Sequence, residues 1–443
     1  MERLNKLWPV WGLLICSILG ISLLSLAYLL PIQPIQQHIE QSLELYKKQG
    51  EYPMFLSWDY STRKDNFTDM LMLEKAAYIE MENPFEAALL IPSPRYKTHP
   101  ETIDRLEQVI NSEPGDLPQN TYARYWHGYL VILKPMLLLF SPAQIYLINL
   151  IMLLVTIILI AIKFSRRTNL LNATIFVLTL VFMNPVMVAC NFQFMTSTMV
   201  CLGIIAVLLW KWDKIQSERN FGRLFFLSGI LTSFLDLLTY PLITLGLPLL
   251  MCILMLCQRN RFKSPTESLK FCIVQSMWWM LGYGGMWASK WVIASLFTQE
   301  NVILDAFNSV GIRTGSITSG VTSLLGRMEG LMKNVFDCIV NSGFFVTLGS
   351  LLTLLIVLKI RGLPQNYYLK TNLVNEENRK ALFWSCLLIA CYPLVWTLCL
   401  NNHTAIHHWF TWRMFSISLF TCLILLVFYL CNSGLFTKRQ KQT

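Results

Sequence analysis

The segment Trp8-Pro-Val-Trp-Gly-Leu-Leu-Ile-Cys-Ser-Ile-Leu-Gly-Ile-Ser-Leu-Leu-Ser-Leu-Ala-Tyr-Leu-Leu30 contains no charged side chain and is apolar on every helical face. A soluble helix would show a polar stripe along one side. A helix rising about 1.5 Å per residue crosses the hydrocarbon core of a bilayer with roughly 20 apolar residues, and this stretch is that long. Arg3 and Lys6 precede it as they would in a signal peptide. The apolar run is too long for such a peptide, however, and no small-x-small cleavage pattern follows at Pro31, so an uncleaved first span with its N-terminus inside is expected.

The rest of the chain repeats the pattern. Of its 443 residues, 54% are hydrophobic and 14% charged, against about a quarter charged in soluble domains. Further apolar segments lie at Pro142–Phe164, Leu170–Ala189, Phe194–Trp210, Leu224–Leu238, Pro241–Leu256, Phe271–Phe297, Phe336–Leu358, Ala381–Leu400 and Met414–Cys431. With the first they make about ten spans, an all-α polytopic membrane fold. Gly128–Phe140 is too short to cross and is interrupted by Lys134-Pro135, which fits a re-entrant or interfacial helix. The expected organisation is a first span over 1–31, a polar helical loop over 32–127, a re-entrant segment and helix bundle over 128–432, and a basic tail over 433–443.

The net charge of +10 is dispersed in short runs, such as Lys163/Arg166/Arg167, Lys211/Lys214/Arg219/Arg223 and Arg259/Arg261/Lys263/Lys270. A nucleic-acid binder would gather that charge into one patch. These runs alternate with cation-free turns at Asn191–Gln193 and Thr239–Tyr240, as the positive-inside rule requires. Both termini are thereby assigned to the cytoplasm, and all six histidines and the 32–127 loop to the outer side. The 12 cysteines sit in or beside apolar spans, contain no CxxC and read as small apolar filler. Neither a P-loop nor GxGxxG is present, and Gly282, Gly284 and Gly285 read as helix-packing glycines.

Four outer constellations carry candidate chemistry. Asp65-Asn-Phe-Thr-Asp69 places two carboxylates one helical turn apart, either as a general base in a shielded pocket or as the N-cap of the following helix. Tyr122-Ala-Arg-Tyr-Trp-His-Gly-Tyr129 combines Arg124, Trp126 and His127, as an interfacial aromatic belt or as an anion site bordered by rings. Asn401–Arg413 holds His403 and His407 on one helical face with Trp409 and Arg413; anion binding, metal binding and an interfacial anchor all remain open, although HExxH is absent. Asp236 and Tyr240 flank an outer turn between short spans, where they line a cavity or cap the turn. Gln299–Lys333, with Arg313 and Arg327, reads as a lid or a disordered connector. Sequons at Asn66-Phe-Thr68 and Asn402-His-Thr404 overlap these candidates.

In layout the chain resembles the GT-C class of membrane glycosyltransferases, and more loosely membrane proteins of bacterial surface-polysaccharide clusters, a likeness that implies a bacterial plasma membrane. The likeness rests on the inside N-terminus, the many spans and a large first outer loop with acidic residues. It implies a sugar donor on a polyprenyl phosphate or pyrophosphate and a glycan, lipid or protein acceptor, in contact with membrane lipids. It further implies Asp65 or Asp69 as base, with Arg124, Arg313 and Arg413 holding phosphate. His127, His403 and His407 join as candidate catalytic groups, and Trp126, Asp236, Tyr240 and Trp409 as cavity lining. No motif demands a cofactor; a divalent cation remains open. The competing expectations are a transporter or flippase of a lipid-linked or anionic solute, and a polysaccharide polymerase or ligase.

Overall fold

A computed structural model describes residues 7–78, 83–96, 100–112, 117, 119–315, 324–361 and 374–432. The chain opens with α1 (Trp8–Tyr28), then α2 (Ile32–Glu40), α3 (Leu43–Gln49), α4 (Asn66–Ala77), α5 (Pro84–Leu90), β1 (Pro92–Pro94), α6 (Thr102–Asn111) and β2 (Gln119–Thr121). The bundle follows as α7 (Leu130–Leu137), α8 (Pro142–Arg167), α9 (Leu170–Phe182), α10 (Pro185–Ala189), α11 (Phe192–Trp210), α12 (Glu218–Leu235), α13 (Ile243–Gln258) and α14 (Pro265–Phe297). It closes with α15 (Val302–Arg313), α16 (Leu324–Ile339), α17 (Ser342–Arg361), α18 (Glu376–Ala390), α19 (Tyr392–Cys399), α20 (Asn401–Ile406), α21 (His408–Thr411) and α22 (Ser416–Asn432). The only sheet among the described residues is the antiparallel β1–β2 pair in the polar loop.

Helix starts follow local chemistry. Pro9, Pro142, Pro185 and Pro265 occupy first-turn positions, where a missing N–H costs nothing. Ser141 and Gln144 form a reciprocal capping box on α8, while Asn169 and Ser264 cap α9 and α14.

Among the described residues, six helical segments are long and apolar enough to cross a membrane: Trp8–Tyr28, Pro142–Arg167, Phe192–Trp210, Ser342–Ile360, Glu376–Cys399 and His408–Tyr429. The expected ten is not reached, for two physical reasons. α9 and α13 are apolar but short, and α12 and α14 carry polar and charged side chains such as Glu218, Arg219, Arg223, Lys270 and Lys290. Several expected spans are also broken. Leu170–Ala189 divides at Asn184, whose left-handed backbone (φ 58°) starts α10. Phe336–Leu358 divides between α16 and α17, whereas Ala381–Leu400 is interrupted only at Cys391, before Pro393, and still counts among the six within Glu376–Cys399. Gln299–Lys333 is largely helical where it is described, over α15 and the start of α16, rather than an open connector; residues 316–323 and the Arg327 side chain lie outside the described set.

The most extensive helix pair is α12 with α14. A Cβ on Gly229 would lie 2.2 Å from the Trp279 carbonyl oxygen, and one on Gly282 2.1 Å from that of Phe226. The two backbones touch where side chains are missing. Gly285 packs on Leu13, whereas Gly284 faces open space.

The bundle has two distinguishable ends. At one, Asp213 pairs with Arg167 (2.9 Å) and Arg259 (3.6 Å), gathering three basic loops. At the other, which we call the loop end, residues 32–127 share a core with the bundle: Ile35, Leu73 and Leu106 pack in the same cluster as Leu24, Leu130, Ile145 and Phe226.

Candidate functional site

At the loop end an open cleft of about 190 Å³ lies between α4, the Tyr122–Tyr129 segment and α20–α21. α4 contributes one helical stripe, Thr68, Leu71, Met72 and Lys75, spaced as a single face requires. Asp65 stands at the head of that stripe. Tyr122, Tyr125, His127 and Tyr129 form a second wall, and Arg313, His403, His407, Trp409 and Phe410 a third. Six residues singled out in the sequence, Asp65, His127, Arg313, His403, His407 and Trp409, therefore meet in one cleft, although the last lies more than three hundred positions from the first.

Asp65 is also the N-cap of α4, accepting from the Thr68 backbone N–H at 3.0 Å through one carboxylate oxygen. The Gln193 amide donates to the other oxygen, and Asn191 accepts from the Asp65 backbone N–H at 2.6 Å. The capping and chemical roles anticipated for this residue thus fall on one side chain. Burial pushes its carboxyl up to about 6, against the opposing hydrogen bonds and nearby Arg63.

Asp69 does not line the cleft. It is fully buried behind it, accepting from Tyr146 Oη (2.7 Å) and the Phe192 N–H (2.9 Å). Tyr146 Oη also meets Tyr46 Oη at 2.6 Å, and the Lys64 ammonium lies 4.1 Å from the Tyr146 ring centroid. Burial raises the Asp69 carboxyl well above the usual carboxylate range, with Lys64 opposing. The network fastens the polar loop to the first turn of α11.

The cleft histidines are neutral near pH 7. Burial, followed by Lys75, Lys290 and Arg124, pushes His127 well below its ordinary value. Burial, followed by His407 and Arg313, does the same to His403, and burial with Arg313 takes His407 down to about 4. Arg313 lies 2.9 Å from His403 Nδ1. Arginine can only donate, so His403 carries its proton on Nε2 and gives it to the Leu238 carbonyl at 2.9 Å. The cleft's positive charge comes from Arg313 and Lys75 rather than from imidazolium.

The remaining sequence candidates lie elsewhere. Arg124 is committed to Asp305 at 3.1 Å and rests over Tyr122. Arg413 is fully buried between Phe194 and Trp412, donating to the Met183 carbonyl (3.1 Å) and the Ser61 carbonyl (3.2 Å). It braces the Tyr60–Thr62 turn that leads to Asp65, and its Nη1 is buried without a hydrogen-bond partner. Trp126 donates to the Met286 carbonyl at 2.7 Å. Asp236 caps its own turn, accepting from Thr239 N–H (3.0 Å) and Ser197 Oγ, and Tyr240 donates to the Phe194 carbonyl at 2.7 Å. Trp126, Asp236 and Tyr240 are scaffold around the cleft, their polar atoms met inside the protein, whereas Arg124 Nε is buried without a hydrogen-bond partner.

Sequence reasoning missed Lys75, Gln193, Tyr52 and Arg63. Lys75 was legible, since it continues the α4 stripe begun at Thr68. Arg63 was not: its guanidinium lies 4.3 Å from the Tyr52 ring and 4.5 Å from that of Trp409, a contact made only by folding. Neither sequon fits a glycan as folded, because Asn66 is fully buried and donates to the Gly50 carbonyl (2.8 Å) and Asn402 donates to the Ile312 carbonyl (2.8 Å). Among the described residues, no group of three or more His, Cys, Asp or Glu is placed to hold a metal ion. No family model, curated protein or solved structure matches the chain.

Proposed function

We propose that the chain is a membrane glycosyltransferase that works at the loop end of its bundle, and we assign that end to the non-cytoplasmic face. The donor is a sugar on a polyprenyl phosphate or pyrophosphate. The acceptor is a hydroxyl of a glycan, lipid or protein. One observation carries this reading: a single ring-lined cleft holds one carboxylate, Asp65, and a guanidinium, Arg313, whose partner is a neutral histidine.

In the proposed reaction the acceptor hydroxyl attacks the anomeric carbon and its proton passes to Asp65. The bond from that carbon to the phosphate oxygen breaks, and its electron pair leaves with the lipid phosphate. Arg313 donates hydrogen bonds to the departing oxyanion, and such fixed charge acts most strongly where water is scarce. A carboxyl near pKa 6 is a better proton acceptor than an exposed aspartate and is still ionised at pH 7. Tyr125 and Trp409 line the same cleft.

The test uses purified protein in liposomes with radiolabelled polyprenyl-phosphate sugars and a panel of acceptors. Transfer should occur and fall by about 100-fold or more in Asp65→Asn, the scale of a lost general base. Transfer that survives in folded Asp65→Asn removes the proposed base. Label that crosses the bilayer with no transfer to any acceptor replaces the enzyme by a flippase.

A further inference from the structure

Lys75 is only 7% exposed and lies on the cleft wall. Other lysines near the loop end are committed. Lys134 donates to the Ala76 carbonyl (3.1 Å), Lys290 to that of Ala88 (2.7 Å), and Lys64 sits over Tyr146 beside Asp69. Among the described residues the Lys75 ammonium has no ion pair or hydrogen bond; it lies 5.4 Å from the Tyr122 ring centroid. The neighbouring acid, Glu74, is already held by Arg105 at 3.0 Å. Burial lowers the Lys75 ammonium from its ordinary value, with Glu74 opposing and Arg105 and Arg124 adding to the effect of burial, so an anion bound beside it would offset that cost.

His127 supplies a second, independent sign. It is 2% exposed, lines the same cleft, and is held at a left-handed backbone angle (φ 52°), unusual for a residue with a side chain. Its Nδ1 lies 3.1 Å from Tyr129 Oη. Its Nε2 is buried with no hydrogen-bond partner, and the Tyr122 backbone is close enough to favour the protonated ring, against burial. With the Tyr129 hydroxyl donating to Nδ1, Nε2 carries the proton and is an unused donor.

From Lys75 and His127 we infer a second oxyanion site in the cleft, separate from Arg313, that binds a carboxylate or phosphate on the acceptor. This assignment rests on the glycosyltransferase reading for the word acceptor, but the anion site itself does not. A leaving phosphate must sit beside the reacting carbon, within reach of Arg313 and Asp65. Lys75 is nearly three helical turns further along α4, about 15 Å along the axis at 1.5 Å per residue. The charge it meets belongs to a part of the substrate remote from the broken bond. Acidic glycans and polyol-phosphate polymers have this chemistry; neutral glycans do not.

The experiment has two arms. In the binding arm, thermal stability of the protein in nanodiscs is titrated with inorganic phosphate and, separately, with oligoglucuronate. Saturable stabilisation by at least one probe that disappears in Lys75→Gln and His127→Phe, but persists in Arg313→Gln, establishes the second site. Stabilisation by neither probe, or stabilisation lost only in Arg313→Gln, overturns it. In the kinetic arm, Lys75→Gln should raise KM for an acidic acceptor by about tenfold or more, the scale of one charge-assisted hydrogen bond, with Lys75→Arg restoring most of it. Donor KM should not move. A rise in donor KM instead overturns the assignment to the acceptor. Absence of all transfer would defeat the transferase reading while leaving the binding arm to decide the anion site.

Discussion

Asp65 has two duties that work against each other. As an N-cap it must be ionised to hold the Thr68 N–H well, yet burial favours its protonated form. The folded protein therefore binds this proton more tightly than the unfolded chain does. Ionising Asp65 costs stability as pH rises from the ordinary 3.8 to about 6, so its contribution is most favourable below that window and is lost above it. Catalysis has the opposite sign, because the base must be ionised. The acidic limb of kcat/KM should fall near pH 6 rather than near 4. With His407 held near 4, replacing it by Asn should leave that limb in place, which a pH profile of both proteins would show. Asp69→Ala is expected to act differently. It leaves the Tyr146 hydroxyl and Phe192 N–H buried without their acceptor, at about 2–3 kcal/mol of stability for a lost pair of buried bonds. Its signature is a lower melting temperature with kcat retained in the fraction that stays folded.

Among the elements, the α12–α14 crossing is the most exacting. Gly229 and Gly282 let the two backbones approach until no Cβ fits. Gly282→Ala forces the helices apart, and overpacking of this kind costs about 1–3 kcal/mol. Gly284→Ala is the control, since nothing lies within 4 Å of its added methyl. Comparing the melting temperatures of the two variants in detergent tests this directly; equal losses would mean that the crossing is not where the strain falls. The crossing matters to the cleft because α12 ends at Leu235, just before the Asp236 turn and the Leu238 carbonyl that fixes the His403 tautomer.

Across the whole molecule, the two ends of the bundle differ in chemistry. One gathers Arg167, Asp213 and Arg259; the other gathers the polar loop and the cleft. The orientation assigned above predicts opposite accessibility of these ends in intact cells. With the exposed Cys399 and Cys422 replaced by Ser, a membrane-impermeant thiol reagent should label Phe55→Cys, at a position 67% exposed at the loop end. It should label Lys211→Cys, near the Asp213 cluster, only after the cells are opened. The reverse pattern would turn the protein over and put the cleft on the cytoplasmic face.

Hydrophobic run length and helix-start chemistry act over a few turns, so the sequence by itself determined the all-α class, the first apolar helix, the short helix around Lys134-Pro135 and the starts of α8 at Pro142 and α9 at Leu170. The α4 stripe from Thr68 to Lys75 was legible for the same reason. The number of crossing helices was not, because breaks such as that at Asn184 depend on partners from other segments: its side chain donates to the Ser61 carbonyl at 3.2 Å. Nor did the sequence separate Asp65 from Asp69, one turn apart on the same helix. Only packing against Asn191, Phe192 and Gln193 sends one to the cleft and the other behind it. Arg413 and Arg313 looked alike as outer-side arginines, and the tertiary structure buried the first as a brace and left the second beside His403. Burial and hydrogen-bond saturation are set by residues far away in the chain, and they decide which polar side chains have anything left to offer a ligand.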